Sequence, residues 1–157
     1  MRTTLPRSQW HEQPWKNGGG VTHEIVRWPD TGEYDVRVSI AEVARSGPFS
    51  TFPGYQRWSI VLAGDLGLVE TARGHTHRLA IGEPFQLAGE TAVTAQLTAP
   101  AALLNILVKP GWLVGIGATT RHAVFEFDLV THQAHRIDPA ATVDGATMVW
   151  IARARLF

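Results

Sequence analysis

Apolar residues recur at every second position over short stretches of this chain, and turn-forming residues separate the stretches. A period of two marks half-buried strands, because successive side chains on a strand point to opposite faces. Val21–Trp28 is the first such strand, closed by the turn signal Pro29-Asp30-Thr31-Gly32. Tyr34–Val43 follows, with Val36, Val38 and Ile40 on one face and Arg37, Ser39 and Ala41 on the other. Arg57–Leu62 and Leu66–Thr71 read as a pair of strands with Gly64-Asp65 turning the chain between them. His77–Ile81, Pro84–Leu87, Ala92–Leu97, Ala102–Val108, Ala123–Val130, Ala134–Ile137 and Thr147–Arg155 continue the series. Helical spacing is weak, and only Arg7–Glu12 suggests a turn of helix.

Many short strands punctuated by 15 glycines and 9 prolines predict an all-β barrel or sandwich. At 157 residues the chain is long enough for one compact unit or two small packed barrel halves. Pro110-Gly111, followed by Gly115 and Gly117, is the expected joint, so the halves would meet near residues 109–117.

Charge and cysteine content narrow the function classes. Lys+Arg and Asp+Glu both number 14, and the pair Arg153 and Arg155 is too small a cluster to make a nucleic-acid footprint. With no cysteine, a disulfide framework, a thiolate nucleophile and a cysteine-ligated metal are all excluded. Met1–Trp15 carries Arg2, Arg7, His11 and Glu12 but no apolar core of signal-peptide type, and no segment is apolar enough to span a membrane. A cytoplasmic protein that engages neither nucleic acid nor membrane is the expectation. Six tryptophans and exposed strand edges leave room for a homodimer.

Several motifs are more specific. Pro14-Trp15-Lys16-Asn17-Gly18-Gly19-Gly20, Thr22-His23-Glu24-Ile25 and Arg37-Val38-Ser39-Ile40-Ala41-Glu42-Val43 are followed by Gly47-Pro48-Phe49-Ser50, Phe52-Pro53-Gly54 and Arg57. In these the chain resembles the HutD/Ves family of the cupin superfamily, with weaker matches at Gly64, Phe85, Gly89 and Leu104-Asn105. The likeness runs from about Trp10 to about Lys109, and the tail after Gly111 carries little of it. The stretch between Trp28 and Tyr34 is shorter than the family pattern. The resemblance implies a cupin-type (RmlC-like) β-barrel, in the form of two small fused barrels. It also implies a link to histidine utilisation or to a stress response, and a small acidic metabolite such as formylglutamate or urocanate as ligand. No reaction is firmly attached to the family.

The residues themselves give candidate chemistry. In Trp15–Gly20, three glycines could let successive N–H groups converge on an anion, with Lys16 adding a charge and Asn17 a donor and an acceptor. The plainer alternative is a tight turn into the Val21 strand with Trp15 plugging the core. Arg37 and Ser39 share a strand face, and Arg57 and Ser59 repeat that phase. If the opposite, apolar faces pack elsewhere, both arginines point inward and could grip a carboxylate. If not, they are solvated surface charges. Glu24 is a candidate partner for one of them, since a buried arginine needs a counter-charge or a ligand. Asn105, inside an apolar strand, is either a ligand contact or part of a structural hydrogen-bond network. Phe49 and Phe52 lie in a loop that is either a lid or a crossing packed by its own aromatics.

His75-Thr76-His77 with Glu83 superficially matches the first metal motif of the cupin superfamily. The spacing to Glu83 is wrong, Arg73-Gly74 places His75 in a turn, and His122, His132 and His135 do not supply the second motif. Neither a metal nor another cofactor is expected. No serine sits in a nucleophile elbow. The leading expectation is a pocket for a small anionic metabolite, lined by Lys16, Asn17, Glu24, Arg37, Ser39, Arg57 and Asn105. The alternatives are a cupin enzyme with Glu24 as general base, metal-free or using His75 and His77, and an interaction protein in which Arg37 and Arg57 are exposed.

Overall fold

A computed structural model describes residues 2–117, 122–137 and 148–154. The chain divides into two compact units, His11–Lys109 and a second unit formed by residues 1–10 with 110–157. Among the described residues every regular element is a strand except one 3-10 turn, Arg7–Gln9, where a short helical turn was expected.

The His11–Lys109 unit begins with β2 (His11–Pro14), β3 (Gly20–Trp28) and β4 (Val36–Val43), each antiparallel to the one before. A two-residue strand, β5 (Gly47–Pro48), then precedes the long β6 (Gln56–Glu70). Next come β7 (Thr76–Leu79), β8 (Pro84–Ala88) and the long β9 (Val93–Val108). The sheet order is β2-β3-β4-β9-β6-β7, with β5 against β9 and β8 against β6. It is an open, cupin-type arrangement rather than a closed barrel.

The two strands expected within 57–71 lie in one continuous strand, β6 (Gln56–Glu70), and the two expected within 92–108 lie in another, β9 (Val93–Val108). Gly64-Asp65 does not turn the chain. The β6–β9 register shifts between Val61 and Ala63, between Ala63 and Asp65, and between Asp65 and Leu66, so the two strands bend together through bulges. Gly64 sits at this bend with φ +84°, and a Cβ there would lie 2.3 Å from the Pro100 carbonyl oxygen. Glycine was required, for a bulge and not for a reverse turn. The bend lets each long strand serve both ends of the unit. Residues 101–108 of β9 pair with β4, while its Thr94 and Ala95 pair with β5.

The two faces of β4, β9 and β6 differ. Val36, Val38, Ile40, Leu104, Ile106 and Ile60 form one apolar face, all of it buried. The other face is graded. Ala41, Leu103 and Val61 join Leu66, Leu68, Val93 and Ala95 in a hydrocarbon core. One and two residue pairs further along the same strands the positions turn polar. Ser39, Asn105 and Ser59 form one cross-strand row, and Arg37, Leu107 and Arg57 form the next.

The second unit holds β1 (Arg2–Thr4), β10 (Trp112–Ile116), β11 (Ala123–Asp128), β12 (Ala134–Ile137) and β13 (Met148–Arg153), in the order β1-β12-β11-β13-β10. β1, β2, β5 and β10 were not expected from the sequence. Thr147 and Arg155, the ends assigned to the last strand, lie outside the described residues. Phe125, Phe127, Val149 and Ile151 make this unit's buried apolar face. On the opposite face Thr4, His135, Glu126 and Trp150 stand in one cross-strand row.

Candidate functional site

The polar end of the graded face opens into a cavity of about 510 Å³. Lys16, Asn17, Arg37, Ser39, Arg57 and Asn105 all line it. Glu24 does not. Trp15, Phe49, Phe52 and Leu107 supply apolar wall, and Gln13, Thr22 and Ser50 add polar groups. Among the described residues no carboxylate lines this cavity, although three cationic side chains do.

Arg37 and Arg57 reach it from opposite sides of β9, each paired with Leu107. The structure therefore decides the question of strand phase: the arginines face inward. Arg57 is 7% exposed and the Arg37 side chain 17% exposed, so neither is the solvated charge of the interaction-protein alternative.

The two guanidinium groups sit in different surroundings. Arg57 lies between rings, with its guanidinium carbon 5.1 Å from the centroid of Phe49 and 5.5 Å from that of Phe52. Its Nη1 donates to the Ser50 carbonyl at 3.2 Å, and its Nε is buried with no hydrogen-bond partner among the described residues. Burial pushes its pKa down to about 10, which still leaves it cationic at neutral pH. Arg37 instead donates through Nε to Glu24 Oε1 at 2.7 Å.

Glu24 serves a second arginine as well. Arg27 donates to it from Nε at 3.1 Å and from Nη2 at 2.6 Å. Burial pushes the Glu24 pKa up, but the hydrogen bonds and charges of Arg27 and Arg37 outweigh it and hold the carboxyl below its ordinary value. A carboxylate so held, outside the cavity wall, does not suit the general-base role considered for it. It belongs to the support of the site.

The glycine turn does two of the things expected of it and not the third. Trp15 plugs the core, donating from Nε1 to Thr22 Oγ1 at 2.8 Å and meeting Phe49 edge-on at 5.8 Å. Lys16 and Asn17 reach the cavity. The converging N–H cradle does not form: Gly18 N–H donates to the Trp15 carbonyl and Gly19 N–H to Asn17 Oδ1. The turn consumes those donors itself.

The aromatic loop is a pinned crossing. Phe49 N–H donates to Val93 and Phe52 N–H to Gly89, and Gly47 and Pro48 pair with β9. Asn105 accepts from Ser59 Oγ at 2.9 Å while also lining the cavity, so it takes part in an internal network and in the wall. His75 and His77 stack with centroids 4.7 Å apart, and His77 Nε2 lies 3.0 Å from Glu70 Oε2. Among the described residues no three histidines or carboxylates are grouped as a metal site.

Phe49, Phe52, Ser50 and Leu107 were missed as wall residues. Leu107 was legible, because it shares the strand phase of Asn105. The packing of both rings on Arg57 was not, because it depends on the path of the loop.

The open double-ended sheet and its polar cavity define a cupin-type protein. A Cupin_2 domain of an XRE-family transcriptional regulator from Enterobacter cloacae shares this fold, with a TM-score of 0.50 at 14% identity over 59% of this chain and 98% of that one. The chain belongs to the HutD family, whose model matches residues 7–145 and so extends the likeness well past Lys109. An uncharacterised 21.2 kDa protein in the hutC 3' region of Pseudomonas putida is 42% identical over 112 residues, covering 68% of this chain and 57% of that protein. Protein Ves of Citrobacter koseri is 40% identical over 85 residues, covering 54% of this chain and 44% of that one. The chain thus spans about half the length of the curated relatives it matches. The solved HutD of Pseudomonas fluorescens SBW25, from a formate condition, superposes with a TM-score of 0.76 at 26% identity, over 98% of this chain and 94% of that one. No helix among the described residues is long and apolar enough to cross a membrane.

Proposed function

We propose that this protein binds a small anionic metabolite in the cavity between β4, β6 and the glycine turn, in an accessory or regulatory role in histidine utilisation or a stress response. The observation that carries this reading is Arg57. Its charge is buried, and among the described residues no carboxylate of the cavity wall offsets it and none partners its Nε. A buried, uncompensated charge costs several kcal/mol, and an anionic ligand would offset that cost. Lys16 adds to the positive potential, Arg37 adds N–H donors, and the aromatic and leucine wall suits the apolar part of a metabolite. The metabolic setting rests on the hutC-region relative and on the solved HutD, and the formate condition of the latter makes a one-carbon carboxylate a natural first probe.

Calorimetric titration with formate, urocanate, formylglutamate and glutamate tests the proposal. At least one should bind in the millimolar range or tighter, and Arg57→Gln should abolish the heat. Uniform absence of binding at physiological concentrations would overturn it.

A further inference from the structure

We infer that the two cavity arginines play unequal parts: Arg57 seats the ligand's charged group, while Arg37, neutralised by Glu24, receives an uncharged hydrogen-bond acceptor. The inference rests on the anion-binding reading and narrows the ligand class to monoanions that carry a neutral acceptor at the far end.

The asymmetry follows from where the counter-charges lie. Glu24 Oε1 is 2.7 Å from Arg37 Nε, and the two side chains are 13% and 17% exposed, so their attraction is only weakly screened. Arg27 shares the same carboxylate, but its side chain is 32% exposed, so water screens much of its charge. Glu24 therefore offsets much of the charge at the Arg37 end of the cavity, as no carboxylate among the described wall residues does at Arg57. Because Nε is committed to Glu24, Arg37 can offer the cavity only its terminal N–H groups. Beside it in the next row lie Ser39 and Asn105, both neutral donors and acceptors. Among the described residues Arg57 has no such carboxylate, and it meets the faces of two phenylalanines and one carbonyl.

A carboxylate brought to Arg57 meets an uncompensated cation, whereas a second carboxylate brought to Arg37 would compete with Glu24 for a charge already used. An amide, formyl or carbonyl oxygen there would accept hydrogen bonds at no electrostatic cost. Glu24 is on this account a positioning residue. It touches no ligand, but it fixes which edge of Arg37 faces the cavity and how much charge that edge carries.

Succinamate and succinate make the test, since they match in length and shape and differ in one charge. The unmodified protein should bind succinamate at least about tenfold more tightly than succinate. Glu24→Gln should reverse the preference, a change in selectivity that loss of stability alone would not produce. Arg37→Gln and Arg57→Gln give a second, independent measurement. The first should cost succinamate no more than about threefold, because glutamine still donates to an amide, and the second should cost well over tenfold. Equal or tighter binding of succinate by the unmodified protein, or equal losses in the two arginine variants, would overturn the inference and leave anion binding standing. Failure of succinamate and succinate alike, with formate, urocanate, formylglutamate or glutamate still binding, would overturn this inference alone; failure of all six would overturn the anion-binding reading, and this inference with it.

Discussion

Glu24 and Arg37 meet because β3 carries one extra residue. On a regular strand Glu24 and Arg27, three positions apart, would point to opposite faces. The β3–β4 register shifts between Glu24 and Val26, so that Glu24 stands opposite Ser39 and Arg27 opposite Arg37. The bulge turns Glu24 onto the face that holds both arginines. Without it Arg27 and Arg37, directly across from each other, would repel with no carboxylate between them.

Arg57 invites a trade of function for stability. Arg57→Met keeps an unbranched stem between Phe49 and Phe52 and removes a buried charge that lacks a carboxylate partner. Replacing buried charges by apolar groups of similar volume is often neutral or stabilising, by about 1–4 kcal/mol. We expect a thermal midpoint equal to or above that of the unmodified protein, together with loss of anion binding. A melt and a titration on the same sample check both.

Gly89 controls the loop that covers Arg57. A Cβ there would lie 2.0 Å from the Phe52 carbonyl oxygen and 2.7 Å from that of Tyr55, both of which are backbone atoms. Gly89→Ala should cost about 1–3 kcal/mol, as overpacking does, and should weaken ligand binding by moving Phe52. Denaturant unfolding measures the first and calorimetry the second.

Acid should act through Glu24. Its pKa in the fold lies below its ordinary value, so the unfolded chain binds its proton more readily. The sign is then fixed: the stabilisation is complete above the unfolded pKa, about 4.3, and is lost as pH falls below it. Glu24→Gln should unfold more easily at neutral pH and lose less further stability on acidification. Parallel acid profiles of the two proteins would contradict this.

His135 should act at milder pH. It is 4% exposed, and burial first, then Arg2, hold its pKa below the ordinary value against the opposing pull of Glu126 and Asp128. The unfolded chain takes up the proton first, so stability declines as pH falls below about 6.5. His135→Gln should flatten the unfolding profile between about pH 7 and about pH 5, as followed by chemical denaturation.

Alternation alone placed Arg37 and Ser39, and then Arg57 and Ser59, on shared faces, because a strand's period of two is a local property of the backbone. It also separated Val36, Val38 and Ile40 from them. Motif likeness gave the family and the cupin-type fold. Local pattern could not tell a bulge from a turn at Gly64-Asp65, since a glycine with positive φ serves both, and the carbonyl of Pro100 that decides the matter is distant in sequence. Nor could it reveal that Gly18 and Gly19 spend their N–H groups inside their own turn.

What the sequence determined by itself was which side chains stand together on a strand, for that depends only on counting residues. Tertiary structure alone decided which face looks into a cavity, which arginine has a carboxylate beside it and which is left to aromatic rings. Those outcomes depend on register, and on one inserted residue in β3, so they are set by partners far away along the chain.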